Sequence, residues 1–167
     1  MANESLIQTL EKMIAGLLEE MPGYFLVQVR IKPTNNIKVF LDGDEGITIE
    51  TCIKINRRLY AIIEEQQLFP DGDFSLEVSS PGVGEPLIIK RQYVRNIGRN
   101  VKVEAIPGFS LAEEDGVLIS ELEGELKGVS EDHIELEVVS GKGKKLTIKQ
   151  YQVLFSNIKS TSVQIKF

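Results

Sequence analysis

The stretch LEVSSPGVGEPL, residues 76–87, offers three chemistries. Its glycines suggest a phosphate cradle, its serines a nucleophile on a sharp bend, and Ser-Ser-Pro-Gly by itself only a turn. The cradle lacks parts. Leu87 stands where the dinucleotide pattern GxGxxG needs its last glycine, and Glu85-Pro86 stands where a P-loop needs Lys followed by Ser or Thr. A glutamate repels phosphate, and a proline removes a donor N–H. The nucleophile lacks context. Neither Ser79 nor Ser80 lies in GxSxG, and the one histidine, His133, sits far along the chain in the acidic run EDHIEL.

Metal chemistry also runs short of ligands. DGDEGITIETCI begins like a calcium loop with Asp42 and Asp44, but Gly46 occupies its fifth position and Ile53 its twelfth, where a bidentate glutamate belongs. Zinc needs several Cys or His ligands, and Cys52 and His133 are all there are. No metal, no cofactor and no catalytic residue is assigned, and enzymatic work would rest on carboxylates or lysines alone. A binding protein is the first expectation.

The elements that position these residues follow from periodicity. Leu6, Leu10, Met13 and Leu17 mark an amphipathic helix over 3–20, with Asn3 as its cap. Phe25, Val27, Val29 and Ile31 alternate along a strand, PTNN turns the chain, and Ile37, Val39 and Leu41 return. Thr48 caps a second helix over 49–66, whose Cys52, Ile55, Leu59 and Ile62 share one face. Phe74, Leu76 and Val78 form a third strand, and Leu87-Ile88-Ile89 a short fourth. The order α-β-β-α-β-β predicts an α+β domain over 1–90. Residues 90–98 read as one helical turn and a linker. Beyond them, short strands at 100–106, 116–122, 124–129, 133–139, 144–149 and 161–167, punctuated by glycine, predict a small all-β barrel over 91–167. Residues 107–116 read as a surface loop or a long hairpin tip.

Charge divides the chain in the same place. Residues 1–90 hold 8 basic against 14 acidic residues, which accounts for the net −6, while 91–167 hold 11 of each. The acidic half suits a basic protein partner rather than nucleic acid. Residues 138–167 carry six lysines and no acid. Those lysines either touch phosphate or pair with the acid-rich run 113–137 on neighbouring strands. No run approaches the ~18 apolar residues of a membrane span. The N-terminus lacks a signal-peptide pattern, and a single cysteine fits a reducing cytoplasm.

FSLEVSSPGVGEPL resembles the signature of the bacterial ribosome maturation factor RimP family. VFLDGDEGITIETCIKINRRL is similar to that family's second hallmark, with Asp42 closing a strand, Gly46-Ile47 before a capped helix, then Cys52 and Arg57. YVRNIGRNVKVE, GELKGVSEDHIELEV and FSNIKSTSVQIKF resemble its later segments. The resemblance implies a KH-like N-terminal domain, an Sm-like barrel and no enzymatic activity. It implies binding to the immature small ribosomal subunit, where late-joining proteins and central rRNA settle, with a basic decoding-region ribosomal protein as direct partner. A cytoplasmic monomer is expected.

On that reading Asp42, Asp44, Arg57, Glu77, Ser79, Ser80, Pro81, Gly82 and Gly84 are candidates for protein docking, and Lys142, Lys144, Lys145 and Lys149 for rRNA. Relatives commonly carry Leu-Asp-Arg before Pro-Leu where this chain has Val83-Gly84-Glu85, so a phosphate-gripping arginine does not transfer to Glu85. The loop 107–120 is also longer than usual. The alternatives are a general RNA-binding or translation-associated module, and a carboxylate-based enzyme.

Overall fold

A computed structural model describes residues 2–82, 84–141 and 143–164, with side chains from Glu4 onward. The chain divides into two compact units, 1–81 and 82–167. No described helix is long and apolar enough to cross a membrane.

The first unit opens with α1 (Ala2–Leu18), which buries Leu10, Ile14, Leu17 and Leu18. Because α1 already begins at Ala2, Asn3 lies inside its first turn and does not cap it. β1 (Tyr24–Lys32) and β2 (Asn36–Gly43) pair antiparallel. Phe25, Val27 and Val29 are buried in alternation along β1 as expected, and Leu26 and Ile31 are partly buried against the core beside a bulge between Leu26 and Gln28.

α2 (Ile49–Glu65) starts where expected, with Thr48 Oγ1 accepting from Thr51 N at 3.1 Å. Its Cys52, Ile55, Leu59 and Ile63 are buried, so Ile63 takes the place expected for Ile62. Burial raises the pKa of the Cys52 thiol, which is a core group. β3 (Ser75–Ser79) lies parallel to β2, a pairing that needs a crossover such as α2. Asn56 Nδ2 donates to Leu76 O at 3.1 Å and ties that crossover to β3. Both helices share one apolar cluster with Ile37, Val39 and Leu41 of β2, so both cover the same face of the sheet, whose order is β1-β2-β3.

The fourth strand expected at 87–89 does not join this sheet. Pro86 bridges Ser162, and Leu87 N donates to Thr161 O at 2.7 Å. Ile88 N and Ile89 N both donate to Gln92 Oε1, at 2.6 and 3.0 Å. N–H groups engaged by a helix cap are not available to a strand ladder.

In the second unit α3 (Lys90–Arg95) precedes β4 (Asn100–Ala105). The stretch expected as a surface loop or a long hairpin tip contains a small hairpin, β5 (Ala112–Glu114) and β6 (Val117–Ile119). β7 (Glu121–Val129) begins after Ser120, so the run expected at 116–122 is broken there. β8 (His133–Ser140) leads to β9 (Thr147–Leu154) through a 3-10 turn at Gly143–Lys145, where a strand was expected to start. β10 (Ile158–Val163) starts before the expected 161, and residues 165–167 lie outside the described part.

Five of these strands form an antiparallel sheet in the order β10-β4-β7-β8-β9. Among the described residues no pairing joins β9 to β10, so the sheet is not a closed barrel. It cannot be flat either. Its two edge strands stand four spacings apart in the order, roughly 19 Å if flat. Yet one 3-10 turn, Phe155–Asn157, links them, and such a turn reaches only about 6–8 Å. Gly124 permits the close passage of β8, because a Cβ there would lie 2.5 Å from Glu137 O. The core takes Val101, Val103, Leu122, Leu126, Ile134 and Leu136 from the strands. Tyr93 of α3 joins them, its hydroxyl donating to the buried Thr161 at 2.9 Å.

Candidate docking surfaces

Because β2 and β3 are parallel and in register from Asn36 with Ser75 to Phe40 with Ser79, both leave the sheet at the same end. Asp42 and Asp44 follow β2 there, and Ser79, Ser80 and Pro81 close β3 there. The turn after β2 is tightly wound. Gly46 N donates to Gly43 O at 2.9 Å, and a Cβ on Gly43 would come 2.3 Å from Gly46 O. Asp44 N donates to Gly23 O at 2.9 Å, and a cavity of about 340 Å³ lies beside Gly23, Tyr24, Asp44, Glu45 and Gly46.

The predicted residues behave differently from one another. Asp44 and Ser80 are exposed at this end, and Ser79 and Pro81 are half-buried. Asp42 is buried, with its carboxylate accepting from Gly43 N at 2.9 Å, so its first role is to hold the turn. Glu77 sits two residues back along β3, opposite Lys38, and pairs with it at 3.7 Å. Arg57 is exposed on α2, about 12 Å along the helix from its start. Gly82 and Gly84 belong to the second unit, where Gly84 takes φ +87° and Glu85 N donates to Gly82 O at 3.2 Å. The loop is therefore a turn with a left-handed glycine.

The lysines also divide. Lys149 pairs with Glu114 at 2.9 Å, and Tyr151 donates its hydroxyl to the same carboxylate oxygen at 2.6 Å. These bonds hold Glu114 below the usual carboxylate range, the tyrosine first and the lysine second. Lys144 and Lys145 are exposed in the 3-10 turn and form no ion pair among the described residues. Lys142 lies outside them. His133 is half-buried, with Nδ1 2.7 Å from Asp132 Oδ1 and Nε2 2.8 Å from the Gln152 amide nitrogen. Both ring nitrogens are occupied. Among the described residues no group of His, Cys, Asp or Glu is arranged to hold a metal.

A family model described as the RimP N-terminal domain matches residues 13–84. A ribosome maturation factor RimP from Christiangramia forsetii is 33% identical over 166 residues, covering 96% of this chain and 98% of its own length. This chain belongs to the RimP family. Ribosome maturation factors RimP from Flavobacterium psychrophilum and Cytophaga hutchinsonii are each 32% identical, over 90% and 92% of this chain and 91% and 93% of their own lengths. The RimP N-terminal match takes in Asp42, Asp44 and the loop as far as Gly84.

One feature of this RimP chain went unread in the sequence. On the outer face of the second sheet stand Glu104, Glu121, Glu123, Glu125, Glu135 and Glu137, as the register with the buried Val101, Val103, Leu122 and Leu136 requires. Lys102 reaches Glu121 at 3.2 Å, and Lys127 bridges Glu125 and Glu137. A cavity of about 740 Å³ adjoins Arg99, Glu123, Glu125 and Glu137. The period-two glutamates of ELEGEL and HIELEV carried the signal.

Proposed function

We propose that this chain is a non-enzymatic assembly factor for the small ribosomal subunit, binding the immature particle and a basic decoding-region ribosomal protein. The observation that carries the reading is near-full-length kinship with proteins named ribosome maturation factors. The acidic first unit supports the protein partner, since opposite fields steer association and set its salt dependence. Lys144 and Lys145, which form no ion pair among the described residues, support a contact with rRNA. The sheet whose edges are joined by one 3-10 turn supports an Sm-like reading of the second unit, and the α-β-β-α-β order a KH-like reading of the first. Action as a cytoplasmic monomer belongs to the same reading.

Charge reversal tests the docking face. Asp44→Lys with Glu77→Lys should weaken binding of the basic ribosomal protein and flatten its salt dependence. Reversal of Glu123 and Glu135 on the second sheet serves as the comparison. Asp42→Lys is unsuitable, because it would bury a cation at the turn. Unchanged affinity across a salt titration in the first variant would remove the acidic face of the first unit from the account. A general RNA-binding module would instead bind short free RNA as tightly as subunits.

A further inference from the structure

We infer that the tip of the β8–β9 hairpin docks in the shallow minor groove of double-helical RNA, with Val139 and Ile148 against ribose faces and Lys144 and Lys145 on the flanking phosphates. This rests on the reading that the chain meets rRNA, and it specifies the form of RNA and the kind of contact.

Val139 stands directly opposite Ile148 in the β8–β9 register, so the two side chains project together from the outer face. They are 52% and 57% exposed, and Leu146 in the adjoining turn is 51% exposed. Three aliphatic side chains are thus solvated at one hairpin end. Beside them Lys144 and Lys145 point no charge at any acid among the described residues, and no acid occurs in 138–167.

The described residues of the turn are tightly wound. Gly141 takes φ +88° so close to the returning chain that a Cβ would lie 2.2 Å from Lys145 O, and Gly143 takes φ +58°. Lys144 and Lys145 lie in this turn, four and three residues before Ile148.

The side-chain types select the RNA form. Splayed single-stranded bases are gripped by aromatic or arginine stacking, and this tip has neither. The minor groove of an A-form helix is wide and shallow and presents ribose, 2′-hydroxyls and two phosphate rims. A small aliphatic ridge flanked by ammonium groups complements that surface. The next pair back on the same face is Glu137 with Gln150. Glu137 limits the footprint to the tip, and it also disfavours an anionic membrane, whose headgroups would meet it as the tip sank in.

The test uses the full chain, a duplex RNA of about 16 base pairs, the length a minor-groove module spans, and a single strand of equal length, each titrated with salt. Val139→Thr with Ile148→Thr keeps the β-branched shape and should weaken duplex binding about five- to tenfold with the salt slope unchanged, the signature of lost apolar contact. Lys144→Gln with Lys145→Gln should lower the slope by about 1.4–1.8, two phosphate contacts at 0.7–0.9 each. Ile148→Thr alone should weaken binding about two- to threefold, and it replaces the double variant if that one shows a lowered thermal midpoint.

Duplex binding by the threonine variants equal to the parent would overturn the inference, while the lysine result could still leave the rRNA reading standing. Preference for the single strand, or binding to 3:1 phosphatidylcholine–phosphatidylglycerol vesicles in place of duplex RNA, would overturn it too. Failure of the parent chain to bind any RNA would remove the rRNA reading along with it.

Discussion

Lys149 Nζ lies 2.9 Å from Glu114, and that bond withdraws it from the cationic surface the other lysines offer. Tyr151 closes on the same carboxylate, so the short β5–β6 hairpin is tied to β9 through three side chains. Glu114→Ala should let the amides of residues 112–119 exchange faster. Unchanged exchange would show that the hairpin is held by other contacts.

The same knot responds to pH. Glu114 is depressed by the Tyr151 hydroxyl and then by Lys149, while Tyr151 and Lys149 are raised, each chiefly by its hydrogen bond to Glu114. A depressed carboxylate stabilises above its unfolded pKa and loses that contribution as pH falls through its folded one. The raised pair contributes fully below its unfolded values and loses that as pH rises through the folded ones. Backbone chemical shifts of 112–119 should stay constant around neutral pH. They should move in acid below the ordinary carboxylate range, and again in strong alkali. In Glu114→Gln the movement below the ordinary carboxylate range should be lost, leaving only what Glu113 and Asp115 cause.

Gln92 is 2% exposed, and its side-chain oxygen takes the N–H groups of Ile88 and Ile89. Gln92→Ala leaves both without that acceptor and should cost about 1–3 kcal/mol in urea unfolding. Gln92→Glu keeps an acceptor and should restore the two bonds, visible as slowed exchange at Ile88 and Ile89.

The two units have separate cores that share no residue. Leu59→Ala and Leu126→Ala, both at fully buried sites, should each cost about 2–5 kcal/mol. Hydrogen exchange should report each loss within its own unit, 1–81 or 82–164. Equal loss of protection in both units from either substitution would show that they unfold together.

Much of the first unit was legible because local chemistry decides it. Thr48 caps α2 as its sequence suggests, and the spacing of Cys52, Ile55 and Leu59 gives the buried face. What escaped depends on partners distant in the chain. β5 and β6 are three residues each, so the sequence left 107–116 open between a loop and a hairpin tip, and side chains from β9 hold the hairpin. Pro86 pairs with Ser162, which no local pattern at 86–89 shows. At the candidate site an acid in a DGDEG turn reads as exposed, yet Asp42 is turned inward, because only the folded turn brings its carboxylate onto Gly43 N. The notion that tail lysines pair with the acid-rich run holds for Lys149 and not for Lys144 or Lys145.

The action proposed for this chain is on the unfinished small subunit, and sedimentation puts it to the sharpest trial. Purified chain would be mixed with immature and with mature small subunits at physiological salt, and each mixture run through a sucrose gradient. The account predicts that the chain travels with immature particles and stays at the top of the gradient with mature ones. Equal association with both, or with neither, would contradict it.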